Sequence, residues 1–290
     1  MFNKDLAGNV LLDLKINDDR KNTRQIILMG LGTQYKVSDD VEFYLNYSQN
    51  YRSINFNDMR VVNPNFQVDP NLKDERGFTF DGGFRGVIKN VLYYDISAFL
   101  LSYSDRIGTI LKPDTLTYQI VRYRTNVSDS RNIGIEAFAE LDWMKLINKN
   151  AKHKFSTFVN GSFIDARYVN SEQTAFRNKL VEYVPKFIIR TGLNYAYKNF
   201  KFTAQYSYTD SQYSDATNAE YTSSAIFGVV PAYSVVDASA SYSYKKFTFS
   251  GGVNNAINES YFTRRAEGYP GPGILPADPR NYYLTVQFKF

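Results

Sequence analysis

Six arginines, Arg52, Arg60, Arg177, Arg264, Arg265 and Arg280, fall in polar, turn-rich stretches of the 290-residue chain. A guanidinium presents a planar fork of donors, so arginines that converge on one place grip carboxylates through charge-assisted, bidentate bonds. These six are the candidate ligand-binding residues. Arg264 and Arg265 lead, because the GYPGPG stretch just after them restricts the shapes their loop can take. The plainer alternative for each is a solvated loop arginine, or one paired with a loop acid. Catalytic chemistry has less material. His153 is the only histidine and there is no cysteine, which leaves no thiolate metal site, cysteine nucleophile or Ser-His centre to build. The adjacent pairs Asp18-Asp19, Asp39-Asp40 and Asp74-Glu75 lack the spacing of a calcium loop and read as turn chemistry. No enzyme, metal or cofactor is expected.

The elements that must carry the arginines are strands. At residues 282–290 the sequence YYLTVQFKF alternates Leu284, Val286, Phe288 and Phe290 with Thr285, Gln287 and Lys289. That is a period-2 strand with one apolar and one polar face. The same alternation predicts strands over 26–37, 41–51, 76–88, 91–103, 118–143, 153–168, 185–197, 200–210, 235–244, 247–254 and 282–290. Residues 118–143 are read as one long strand rather than a hairpin about Ser128-Asp129-Ser130. With that choice every short turn falls at one end and every long connection, such as 52–75, 108–117, 169–184, 211–231 and 255–281, at the other. Short turns on one side and long loops on the other are the pattern of an outer-membrane barrel, with tight periplasmic turns and long extracellular loops. The expected fold is therefore all-β: an antiparallel transmembrane β-barrel of about 11 strands, half of the 22 found in plugged transporters. The stripe Glu136, Glu140, Asp142 is expected to face the lumen.

Composition agrees with this fold. Tyrosine (24) and phenylalanine (22) far outnumber tryptophan (1), which suits strands and the aromatic girdles of a barrel. Mean hydropathy is −0.39, and no apolar run approaches the ~18 residues of a membrane helix. The net charge of +5 is spread along the chain, so nucleic acid is not an expected partner. The first twenty residues show neither a basic start with an apolar core nor a small-residue cleavage site. An outer-membrane protein is exported, so the expectation is a C-terminal piece of something longer, without its signal peptide.

Specific motifs sharpen the reading. The end of the chain, VNNAINESYFTRRAEGYPGPGILPADPRNYYLTVQFKF from Val253 on, resembles the C-terminus of TonB-dependent outer-membrane receptors. NYRSINFNDMRVVNPNFQVDPNLKDERGFTFDGGFRG (50–86) and RTNVSDSRNIGIEAFAEL (124–141) are similar to further segments of that family. YSDATNAE and GVVPAYSVVDASASY look like segments of Bacteroidetes receptors of the ferric dicitrate type. The resemblance covers nearly the whole chain. It implies a location in the outer membrane of a Gram-negative cell, among its lipids. It also implies uptake of an iron chelate such as ferric citrate or a siderophore, energised by a TonB–ExbB–ExbD complex through the N-terminal plug domain and TonB-contacting segment that the family carries ahead of the barrel, which this sequence is expected to lack. The alternative is a passive outer-membrane pore, or a structural half-barrel that pairs with another chain.

Overall fold

In a computed structural model, the described residues are 25–59, 66–114, 118–148, 150–171, 174–222, 227–266 and 273–290. Eleven long strands dominate. They are β1 (Gly30–Ser38), β2 (Val41–Arg52), β3 (Glu75–Ile88), β4 (Leu92–Pro113), β5 (Ile120–Asp142) and β6 (His153–Asn170). The remainder are β7 (Phe187–Tyr197), β8 (Phe200–Thr209), β9 (Tyr233–Tyr244), β10 (Phe247–Asn254) and β11 (Asn281–Phe288). Each pairs antiparallel with its neighbours in chain order, from β1 across to β11. The sheet is not closed: among the described residues β1 pairs only with β2, and β11 only with β10.

The register explains the alternation. Leu45 lies opposite Gly82, Gly82 opposite Ala98, Ala98 opposite Ile135, Ile135 opposite Phe163 and Phe163 opposite Phe187. This row crosses six strands without a polar side chain. Phe84, Ile96, Ile135 and Phe163 on the same face are all at least half exposed. Water would not tolerate so large an apolar surface, whereas lipid covers it at no cost. The opposite face is polar and bonded strand to strand. Arg85 donates to Glu42, Tyr44 to Asp95 (2.8 Å), Asn46 to Asp81 (2.9 Å) and Ser156 to Glu140 (2.7 Å). Glu136, Glu140 and Asp142 share this polar face, which a closed barrel would turn to its lumen.

Close approach at the lumenal face requires glycine at one central position. A Cβ on Gly134 would lie 2.6 Å from Cε1 of Phe99 and 2.8 Å from the carbonyl oxygen of Phe163. Gly134→Val is expected to shift β5 against its neighbours and cost about 1–3 kcal/mol. The check is the folded, heat-modifiable band of the protein in detergent, whose melting should move to lower temperature.

The structure corrects several expected boundaries. The first strand begins at Gly30, not Ile26. The loop expected at 108–117 is largely strand, because β4 runs on to Pro113. Its pairing with β5 shifts register between Tyr103 and Arg106 and again between Arg106 and Ile107. These bulges turn the side chains over and so erase the simple alternation that would have revealed the strand. The expected turn after β5 is a short helix, Trp143–Ile147, capped by the Asp142 carboxylate, which accepts from the Lys145 amide (3.0 Å). Residues 118–143 do form one strand, Ile120–Asp142. At 22 and 23 residues, β4 and β5 are about twice the 9–11 residues needed to cross a bilayer. Their loop-side halves extend beyond the length a bilayer crossing needs and form an outer wall.

Candidate functional site

The outer wall is held by ion pairs. In residues 53–74 the segment Phe56–Met59 makes a helical turn, begun by Asn55 and Asp58. Each of these two side chains accepts from the other's backbone N–H at 3.1 Å. Asp58 is 1% exposed. Its carboxylate accepts from Nη2 of Arg52 (2.8 Å) and from Nη2 of Arg124 (2.6 Å) on β5. Arg52 also donates to Glu75 (2.8 Å), whose same oxygen takes the Ile107 amide (2.8 Å). Burial pushes the Asp58 carboxyl up, but bonds from Arg124, Asn55 and Arg52 outweigh it and hold the group below the usual carboxylate range. Farther along, Phe66–Val68 pairs in parallel with Arg122–Arg124. The described parts of the connection expected to be a plain polar loop are thus pinned against β5.

A second cluster fills the wall's inner side. Ile110, Val127, Ala166, Tyr168, Phe176 and Val181 form a small buried core. Residues 178–181 run back along β6, with the Tyr168 amide donating to the Lys179 carbonyl and the Val181 amide to the Ala166 carbonyl, both at 3.0 Å. The buried Tyr168 hydroxyl donates to Glu182 (2.5 Å), and Arg106 lies 3.7 Å from Glu182 and 5.9 Å above the Tyr168 ring.

Next to this core lies a cleft of about 410 Å³. Ile110, Leu111, Phe176 and Phe227 line it, and so do two cations, Arg122 and Arg124, and two acids, Glu182 and Asp215. An apolar hollow with a few convergent charged groups is the usual form of a small-molecule site. The loops over it are tied to one another. Asn218 accepts from the Leu180 amide (2.7 Å) and donates to the Leu180 carbonyl (2.8 Å). The Tyr183 amide donates to the Tyr213 carbonyl (2.8 Å). Arg265 donates to the Val229 carbonyl (2.9 Å).

Of the six arginines singled out in the sequence, none of the five described ones lines the cleft. Arg52 is engaged by Asp58 and Glu75. Arg264 and Arg265 are on a short strand, Phe262–Ala266, paired with Gly273–Pro276. Arg264 is exposed, while Arg265 reaches Val229 and lies 5.5 Å over the Phe262 ring. Arg177 is exposed, with Nε donating to the Ser171 carbonyl (3.2 Å), and Arg280 is exposed near Asn258. Arg60 and most of the GYPGPG stretch fall outside the described residues. Arg122 and Arg124 escaped notice because Val121, Arg122, Tyr123 and Arg124 alternate like any strand. Among the described residues no group of three or more acids or histidines is placed to hold a metal ion.

Comparison with known proteins places this arrangement. The model of the family described as "TonB dependent receptor-like, beta-barrel" matches residues 4–256. The chain belongs to that family. Among solved structures, the unliganded ferric citrate transporter FecA is similar, at 20% identity and a TM-score of 0.71 over 91% of this chain. The copper transporter OprC matches at 14% identity and 0.68 over 90%. A ferric enterobactin receptor mutant (PfeA) from Pseudomonas aeruginosa, in complex with enterobactin, matches at 15% and 0.66 over 91%. The chain spans 38% of the length of the FecA and OprC chains and 40% of the PfeA chain. At these identities the likeness is one of fold, which is that of a partial TonB-dependent barrel.

Proposed function

We propose that this chain is the C-terminal part of the barrel of a Gram-negative outer-membrane receptor. The receptor takes up an iron chelate, such as ferric citrate or a siderophore, driven by the TonB–ExbB–ExbD complex through N-terminal parts outside this chain. The observation that carries the reading is the cleft at the loop end of a wall whose other face is apolar. A chelate's organic arms fit Ile110, Phe176 and Phe227, and its carboxylate or phenolate oxygens fit the guanidinium side of Arg122 and Arg124. Arg264, Arg265, Arg177 and Arg280 stand on the same loop side as further contacts. Arg52 acts through its grip on Asp58. Family membership and the similarity to FecA and PfeA support the cargo class.

Uptake of radioactive iron tests the reading. Cells carrying the natural gene should accumulate ferric citrate or a ferric siderophore only when TonB is present. Filling the cleft with Ala216→Trp, beside the Phe176 cluster, should weaken cargo binding at least about tenfold, equivalent to 1.4 kcal/mol. Uptake that ignores both TonB and the substitution, with steady conductance in planar bilayers, would point to a passive pore instead.

A further inference from the structure

The short turns joining the last strands are basic in a way the loop side is not. Residues 143–164, 187–209, 238–258 and 281–290 contain no Asp or Glu, yet lysine stands at every short turn they form. These lysines divide between the two faces. Lys145, Lys154 and Lys201 surround a lumenal hollow that also holds Glu140 and Asp142. Lys198, Lys245 and Lys246 go the other way. Their ammonium groups lie 5.2 Å over Tyr197, 5.4 Å over Tyr244 and 5.8 Å over Phe288. All three rings are on the apolar face, since Tyr197 pairs with Phe200, and Phe247 pairs with both Tyr244 and Phe288. Among the described residues no carboxylate pairs with these three lysines.

The two turns are neighbours. The Ser243 amide donates to the Asn199 carbonyl (3.0 Å), and the Lys289 amide to the Lys246 carbonyl (2.8 Å). Three unneutralised ammonium groups therefore crown one continuous aromatic patch, in which Tyr242, Tyr244, Phe247 and Phe249 are all more than 40% exposed. Tight turns mark the periplasmic end of a barrel. Aromatic rings and lysines at that level meet the headgroup layer, and lysines there attract anionic lipid.

We infer that this rim binds an anionic glycerophospholipid of the periplasmic leaflet. Its phosphodiester lies against Lys198, Lys245 and Lys246, and its acyl chains run over Tyr242 and Phe249. The rings hold the ammonium groups at headgroup height without cancelling their charge, and with no Asp or Glu pairing them among the described residues a phosphodiester is a fitting counter-ion. The inference rests on the outer-membrane reading above.

The test begins with fractionation of cells carrying the natural gene. A chain found in the soluble fraction would refute the membrane reading itself. A membrane-integrated receptor is then extracted, exchanged into bilayer discs of equal phosphatidylglycerol and phosphatidylcholine, and its retained lipids are weighed by native mass spectrometry. The expected result is enrichment of phosphatidylglycerol by about tenfold, falling as salt rises. The variant Lys198→Asn/Lys245→Asn/Lys246→Gln should lose the enrichment while retaining as much total lipid. Asparagine is chosen because Lys198 and Lys245 have φ of 50° and 52°, a region that asparagine tolerates. Equal retention of the two lipids by the natural receptor, at any salt, would overturn the inference and leave the membrane reading standing. So would enrichment that survives in a folded variant.

Discussion

Asp58→Ala should free residues 53–59 and 66–74 from the outer wall while the long strands stay folded. The substitution leaves Arg52 and Arg124 facing each other with their shared carboxylate gone. Removing one partner of a buried pair costs roughly 3–5 kcal/mol, and the partial exposure of both guanidinium groups brings the expectation to about 3 kcal/mol. Hydrogen exchange of the loop amides should then accelerate by about 100-fold, since each 1.4 kcal/mol is a factor of ten. The pH dependence has a definite sign. A carboxylate held below its ordinary range contributes stability that is complete above the unfolded-state value, about 3.9, and is lost only as pH falls through the lower folded-state value. Loop protection in the natural protein should therefore be the same at pH 7 and pH 5 and fall only in stronger acid. Loss of protection by pH 5 would mean that Asp58 does not bear this load.

Tyr168→Ala is the second large change. The side chain is fully buried, between Phe176 on the returning loop and the wall residues Ile110 and Val127. Deleting a buried aromatic ring costs about 3–5 kcal/mol, and here the cavity opens into the neighbouring cleft. Residues 174–184 should lose exchange protection, and affinity for the proposed cargo should fall with them. Tyr168→Phe separates packing from hydrogen bonding. It keeps the ring but leaves Glu182 without its donor, at a cost of about 1–3 kcal/mol. If the two variants weaken the loop equally, the bond to Glu182 rather than the core holds the cleft's wall in place.

What could be read in the sequence was whatever repeats with period two. Phe80, Phe84, Ile133 and Ile135 announce lipid-facing rows because a membrane strand has only two environments, and a one-residue slip would exchange them. The same logic joined residues 118–143 into one strand. It stopped at the bulges near Tyr103 and Arg106, where the extra residue reverses the faces and local alternation no longer reports pairing. It also missed the site. Arg124 meets Asp58 across 66 positions of sequence, and no local pattern carries that contact. The loop arginines were visible as residue types, but what occupies each was not: Arg52 looks as free in the sequence as Arg264, and only the structure gives Arg52 to Asp58 and Glu75. Tyr168 and Phe176 read as two aromatics among many until the loop folds back on β6.

The bonds among the outer loops bear on how preference for the proposed cargo could change. Residue 180 is fastened to 218, 183 to 213, and 229 to Arg265, so segments leaving different strands share one network. Transplanting a single loop from a homologue would sever at least one of these joints. The graft would arrive with a half-buried backbone amide or carbonyl that has lost its mate. Inheritance of a new taste should therefore proceed in blocks. Residues 174–184, 211–230 and 261–277 are expected to be exchanged together, or adjusted by single side chains within the cleft. A chimera carrying the three together should be tolerated where each alone is not.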